Sequence, residues 1–194
     1  MARPLFVTAP YVYVLIGAGL VLATREILVR RYLGAGGAVR SETDSIRVLW
    51  LATVPFTGVA VVVPFTGVAN AATPAAWFWG GVATMLVGYV VRLAALLTLG
   101  ETFTQHVALQ TDHEVIDSGP YRWVRHPAYT GAVVSYVGIG LALGNWLSLL
   151  VTTGSALVGY GYRVVVEERF LRTELEGYEA YLEATPDRLI PFVW

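Results

Sequence analysis

Uncharged stretches long enough to cross a bilayer alternate along this chain with short charged ones. A helix rises about 1.5 Å per residue, so about 20 apolar residues cross a hydrocarbon core of about 30 Å. The 21 uncharged residues between Arg3 and Arg25 predict one span. The 44 between Arg47 and Arg92 are too many for one helix, and Thr66, Gly67, Asn70 and Thr73 interrupt them between Pro64 and Pro74, which predicts two. The stretch from His126 to Tyr162 breaks near Gly144-Asn145 and predicts two short helices joined by almost no loop. The expected fold is all-α: a polytopic helical membrane protein with about five transmembrane helices, followed by a cytoplasmic C-terminal helical segment. The first apolar run is longer than the roughly 7–15 residues of a signal-peptide core, and no small-x-small site precedes a polar start, so it is read as a span.

Arginine placement sets the expected orientation, because short cytoplasmic loops keep the cationic excess. Arg25, Arg30, Arg31, Arg40 and Arg47 follow the first span, Arg122 and Arg125 lie in the 101–128 segment, and Arg163, Arg169, Arg172 and Arg188 lie towards the C-terminus. The turns near 64–74 and 144–146 carry no charge. The N-terminus is therefore expected outside and the C-terminus in the cytoplasm. Pro55 is expected to kink the second span. Gly140-x-x-x-Gly144 suits close helix packing in the fourth. The heptapeptide VPFTGVA occurs at Val54–Ala60 and again at Val63–Ala69. A nine-residue offset puts the copies on opposite faces of a helix, so it reads as a local duplication.

Composition agrees and narrows the chemistry. Hydrophobic residues make up 56% and charged residues 14% of the 194, against roughly 45–50% and about 25% in soluble domains. The mean hydropathy is +0.59. All 13 basic residues are Arg, which suggests a GC-rich genome and a bacterial inner membrane as the compartment. A net charge of −1 without a basic patch gives nucleic acid no foothold. The absence of cysteine excludes disulfides, thiolate metal sites and a Cys nucleophile. Three histidines, His106, His113 and His126, without metal-ligand spacing argue against a metal site. Gly17-Ala18-Gly19 and Gly34-Ala35-Gly36 lack the third glycine of a dinucleotide fingerprint.

Groups that are costly near lipid mark function, and they gather in two blocks, Glu101–Gly131 and Arg163–Trp194. In the first, the turn Asp117-Ser118-Gly119-Pro120 leads into Tyr121, Arg122, Trp123, Arg125 and His126, and Pro127 suits the first turn of the fourth span. Arg125 and His126 would then sit at a helix N-terminus, whose free N–H groups and dipole favour an anionic ligand. The ordinary alternative is a headgroup-level anchor. In the second block, Arg163 and Glu167 form an i,i+4 pair, and Glu167-Glu168 places tandem carboxylates where the fifth span leaves the bilayer. Water or a cationic ligand must reach them. The apolar tail Leu189–Trp194 is expected to fold back as a lid or interface anchor.

Together these blocks resemble the isoprenylcysteine carboxyl methyltransferase family and its wider superfamily of small membrane methyltransferases, which includes phospholipid N-methyltransferases. The matching residues are Gly119-Pro120-Tyr121-Arg122, Arg125-His126-Pro127-x-Tyr129-x-Gly131, Glu167-Glu168, Tyr178-x-x-Tyr181 and Thr185-x-x-Arg188-Leu189-Ile190-Pro191. The likeness reaches upstream to Arg92, Leu99-Gly100 and Phe103-Thr104, and covers residues 88–194. It implies one membrane methyltransferase domain over 1–194, with 1–75 as N-terminal spans and 76–194 as the catalytic part. It also implies S-adenosylmethionine as cofactor at the cytoplasmic mouth, between the last two spans and the C-terminal segment. His126, Pro127, Tyr129 and Gly131 would contact the cofactor from one wall and Glu167 and Glu168 from the other, with Tyr121 and His113 also implied as cofactor-binding. Arg125, Arg163, Glu167 and Glu168 are the implied catalytic residues, and no metal takes part.

Methyl transfer from a sulfonium to a carboxylate needs no general base, so positioning and desolvation would carry the rate. Arg125 or Arg163 would hold the acceptor carboxylate, with Arg92 a third candidate, while a prenylated or other lipophilic substrate enters from the bilayer among membrane lipids. An amine acceptor would instead need Glu167, Glu168 or His113 as base. Two other classes stay open: an NADPH-dependent membrane reductase, and a non-enzymatic membrane subunit.

Overall fold

The computed structural model describes residues 3–32, 40–42, 44–100, 107–109, 115–191 and 193–194. His106 and His113 lie outside the described residues. A helix forms at each of the five expected positions: α1 (Tyr11–Tyr32), α2 (Asp44–Val62), α3 (Pro74–Leu99), α4 (Pro127–Ala142) and α5 (Trp146–Glu174). Of these, α2, α3 and α5 are long and apolar enough to cross a membrane. The apolar part of α1 described here runs only over Tyr11–Val21, and the 16 residues of α4 reach about 24 Å, short of a full hydrocarbon core. A short helix α6 (Tyr178–Ala184) follows α5. The purely helical expectation missed one element: β1 (Arg40–Glu42) pairs antiparallel with β2 (Val107–Leu109). Backbone groups of the two connecting segments satisfy one another there, tying the α1–α2 and α3–α4 connections together.

Breaker residues end the helices where the sequence places them. Between α2 and α3 the chain runs through a 3-10 turn at Val63–Thr66, then Gly67 at φ +78°, a left-handed conformation that glycine adopts at little cost, and Pro74 opens α3. Pro55 lies inside α2. Asn145 caps α5 by accepting from the Ser148 N–H at 3.0 Å. The two uncharged turns meet at one end of the bundle: Ala71 N–H donates to the Gly144 carbonyl and Trp146 N–H to the Ala69 carbonyl, both at 2.9 Å. The Asn145 side-chain amide donates to the Val68 carbonyl and to Asn70 Oδ1, each at 2.7 Å. The uncharged turns thus close one end, and the β1–β2 pair joins the two charged connections.

The helices lie antiparallel in the order α3, α4, α5, α2. Small residues set the α3–α4 distance. Gly88 faces Gly131 and Ser135, while Gly81 faces Gly138 and Ala142, so that a Cβ on Gly88 would sit 2.5 Å from both the Gly131 carbonyl oxygen and Ser135 Oγ. On α4, Gly140 packs against Leu149 and Thr152 of α5, whereas Gly144, the other half of the expected pair, lies beyond the helix in the α4–α5 turn at φ +65°. Along the α2–α5 seam, Ser148 Oγ donates to the Ala60 carbonyl at 2.6 Å, Gly159 meets Leu49 and Ala52, and the Arg163 guanidinium donates to Ser45 Oγ at 3.3 Å. At the start of α1, Tyr11 packs edge-on against buried Phe78 of α3.

This packing makes a position-specific expectation. Gly88→Val drives a branched side chain into backbone and should lower the detergent-solubilised Tm by roughly 5–10 °C. Gly80→Val, which meets nothing within 4 Å, should leave it unchanged. Equal losses in the two variants, measured by thermal unfolding, would contradict the assigned α3–α4 contact.

Candidate functional site

A loop reversal, a helix start and a helix end bring the two polar blocks of the sequence together. Pro120, in the 3-10 turn Gly119–Arg122, turns the chain towards α4, and Pro127 opens that helix with His126 as its N-cap residue. From the other side α5 runs past its apolar part without a breaker and carries Arg163, Glu167 and Glu168 to the same level. The C-terminal segment then returns across the start of α4. Arg125 N–H donates to the Asp187 carbonyl and His126 N–H to the Arg188 carbonyl, each at 2.9 Å. The C-terminal segment thus lies against the helix start at which an anionic ligand was expected.

Glu168 is the centre of the assembly. It is 4% exposed, and both its oxygens are engaged: Arg125 Nε at 2.8 Å and His126 Nε2 at 3.4 Å reach Oε1, and Arg188 Nε at 3.0 Å reaches Oε2. Arg125, also buried, donates through Nη1 to the Thr185 and Pro186 carbonyls at 2.8 and 2.7 Å. Thr130 Oγ1 donates to the Leu189 carbonyl at 2.7 Å, and the Tyr181 hydroxyl donates to the Tyr121 carbonyl at 2.8 Å. Burial pushes the phenols of Tyr121, Tyr178 and Tyr181 above their ordinary range, which keeps Tyr181 a neutral donor.

Glu167 has a different environment. Its Oε2 accepts from the Tyr129 hydroxyl at 2.5 Å, and that hydroxyl accepts from Arg163 Nε at 2.6 Å, so the expected Arg163–Glu167 pair is bridged by a tyrosine. Glu167 Oε1 takes no hydrogen bond among the described residues, and the side chain is half-buried. The Tyr129 ring stacks parallel to His126 with centroids 5.6 Å apart and lies against Tyr160, which meets Tyr136 farther along the α4–α5 seam. Arg163 lies 5.7 Å over the Tyr129 ring. Aromatic faces, a half-buried carboxylate and guanidinium groups therefore occupy one corner of the bundle.

The sequence-derived candidates converge here, each at a distinct place. Arg125, His126 and Glu168 form one hydrogen-bonded set and Tyr129, Arg163 and Glu167 a second, the two meeting where the His126 and Tyr129 rings stack, while the Tyr121 carbonyl accepts from Tyr181. Pro127 is buried in the first turn of α4, and Gly131 lies at the α3–α4 contact, against Gly88 and the Arg92 backbone. Arg92 reaches the Ala128 carbonyl at 3.0 Å. His113 lies outside the described residues. Reading for chemistry passed over Arg188, Tyr181 and Thr130. Arg188 and Tyr181 stood in the motif as spacing only, and a single cation far along the chain shows no partner until the chain folds. The tail does fold back: Trp194 stacks under the Arg188 guanidinium at 5.3 Å and approaches Gly161 of α5.

Losing a buried cation that neutralises a buried carboxylate costs more than losing an exposed one. Arg125→Met should destabilise the protein by about 3–5 kcal/mol, because Glu168 and two carbonyls lose their donor. Arg122→Met, at an exposed guanidinium 5.0 Å over Trp123, should leave thermal unfolding unchanged. Comparable unfolding temperatures for the two variants would refute the clamp.

Comparison with known proteins gives the same direction. The model of the isoprenylcysteine carboxyl methyltransferase (ICMT) family matches residues 81–173. A probable protein-S-isoprenylcysteine O-methyltransferase of Oryza sativa subsp. indica is 33% identical over 122 residues, 60% of this chain and 63% of the relative. The protein-S-isoprenylcysteine O-methyltransferase of Schizosaccharomyces pombe is 30% identical over 105 residues, 53% of this chain and 44% of the relative. This chain thus spans less than two thirds of the length of these curated relatives. The solved structure of a eukaryotic intramembrane Ras methyltransferase, ICMT, superposes with a TM-score of 0.59 at 24% identity, covering 80% of this chain and 55% of that one. At that identity the likeness is one of fold. Together with the apolar helices, it makes this chain an integral membrane protein. The resemblance implied by the R-H-P-x-Y-x-G run and the Glu pair is borne out: this chain has the fold of an intramembrane methyltransferase and, across 81–173, the sequence pattern of the ICMT family.

Proposed function

We propose that this chain is an S-adenosylmethionine-dependent methyltransferase that esterifies the carboxylate of an isoprenylcysteine-like or other lipophilic substrate at the cytoplasmic face. One observation carries the reading: the R-H-P-x-Y-x-G run and the Glu pair, 42 residues apart between His126 and Glu168, fold into one hydrogen-bonded corner inside the stretch that matches the family. The residues present fit the cofactor. Its ammonium suits Glu167, whose Oε1 takes no bond among the described residues, and a planar base suits the stacked His126 and Tyr129 rings. S-adenosylmethionine would supply an electrophilic methyl group on a sulfonium.

The chain's own residues would bind, orient and exclude water. The Tyr129 hydroxyl, between Arg163 and Glu167, fixes both side chains at once, so the charge facing the cofactor and the charge facing the acceptor are held in register. Arg163, buried against Ser45 of α2, is the cation best placed to orient an acceptor carboxylate arriving along the α2–α5 seam. Arg125 and Glu168 would act by holding the surrounding segments. Such a carboxylate is already nucleophilic at neutral pH, so no proton has to move.

The same reading takes all five helices as membrane-embedded, with 1–75 as the N-terminal spans and 76–194 as the catalytic part. The charged connections tied by β1–β2 would face the cytoplasm, with the N-terminus outside. The Arg-only composition favours a bacterial inner membrane, whereas the relatives compared above are eukaryotic.

The test is transfer of a radiolabelled methyl group from S-adenosylmethionine to a prenylated cysteine with a free carboxylate, beside a phospholipid amine. Purified protein should label the prenylated carboxylate, and mild base should release the label as volatile methanol. Tyr129→Phe should lose on the order of ten- to hundredfold in kcat/KM. Base-stable label on the amine would favour N-methyl transfer, and no transfer to either acceptor would overturn the proposal.

A further inference from the structure

The segment after α6 is tethered along the start of α4 by five hydrogen bonds to backbone carbonyls. Arg125 holds the Thr185 and Pro186 carbonyls through its guanidinium and the Asp187 carbonyl through its N–H. The His126 N–H holds Arg188, and Thr130 holds Leu189. Four of the five donors belong to Arg125 and His126, the two residues that also contact Glu168 Oε1. The segment returns the contact through one side chain, Arg188, whose Nε lies 3.0 Å from Glu168 Oε2. Beyond it the chain turns back on itself, with the Leu189 and Ile190 N–H groups donating to the Trp194 carbonyl, and Trp194 rests under the same Arg188 guanidinium. One carboxylate therefore orients both the donors that grip the strap and the cation that the strap carries.

Both oxygens of Glu168 accept from the chain's own side chains and two guanidinium groups neutralise it, so it offers a cationic ligand less than its neighbour Glu167, whose Oε1 takes no hydrogen bond among the described residues. We infer that Glu168 and Arg188 are positioning residues: their ion pair holds residues 185–191 as a closed strap beside His126 and Tyr129, completing the wall of the cofactor site. The inference rests on the methyltransferase reading for what the strap encloses, but the strap can be measured without any ligand. Arg188 is partly exposed, and Arg125 stays on Oε1 when it is neutralised, so the buried carboxylate keeps a cationic partner.

The chain contains no cysteine, so a nitroxide on Val193→Cys reports the strap alone; Val193 is 74% exposed and outside the network. In detergent-purified, folded protein, Arg188→Gln and Glu168→Gln should narrow the nitroxide spectrum towards a mobile label. Arg188→Lys should keep it broad, and so should Glu167→Gln. The affinity for S-adenosylhomocysteine, titrated in parallel, should fall on the order of ten- to hundredfold in Arg188→Gln and recover in Arg188→Lys. A label that stays immobile in Arg188→Gln, or is equally mobilised by Glu167→Gln, would overturn the assignment. Unchanged affinity in a mobilised strap would overturn it as well. Should the parent protein bind no S-adenosylhomocysteine while the label follows the ion pair, the positioning role stands and the cofactor reading fails.

Discussion

A buried carboxylate organises the functional end of this protein. Removing an ionised Glu from water costs several kcal/mol unless opposite charges and hydrogen-bond donors replace the water. Glu168 therefore requires Arg125, His126 and Arg188 where they are. Those three residues come from the approach to α4 and from the C-terminal segment, while Glu168 belongs to α5. Satisfying one charge consequently joins pieces of chain that are far apart in sequence and leaves the adjacent Glu167 turned to a different set of partners.

The rest of the fold supplies the rigidity that such a network needs. Backbone approaches backbone at the Gly81, Gly88, Gly131 and Gly138 contacts, so α4 cannot shift along α3 without collision, and the His126 end of α4 inherits that precision. At the opposite end the two uncharged turns share hydrogen bonds through Asn70 and Asn145, which ties the α2–α3 connection to the α4–α5 turn. The division of the molecule is physical. One end spends its polar groups on closing turns, and the other concentrates charge around aromatic rings.

Much of this was legible in the sequence because lipid makes charge placement informative. Uncharged runs marked five helices, Pro64 to Pro74 and Gly144-Asn145 marked the turns, and unbroken periodicity carried α5 from Trp146 through the Glu pair. The site was legible as residue types, since Arg125, His126, Tyr129, Arg163, Glu167 and Glu168 all meet. Their pairing was not. An i,i+4 rule joined Arg163 directly to Glu167, whereas a tyrosine hydroxyl from another helix stands between them. The helix-dipole argument marked this helix start but not the C-terminal segment beside it, to whose carbonyls, about 60 residues away, the Arg125 and His126 N–H groups donate, and no local pattern encodes that pairing. The β1–β2 pair escaped for the same reason: three-residue strands in polar connections carry no periodicity of their own.

The most direct measurement of the central claim, that this corner is a methyl-donor site, is calorimetric titration of S-adenosylmethionine, S-adenosylhomocysteine and NADPH into the folded, detergent-purified protein. The account predicts saturable binding of both adenosyl compounds at one site per chain and none of the nicotinamide. Binding of NADPH alone, or of none of the three, would contradict it.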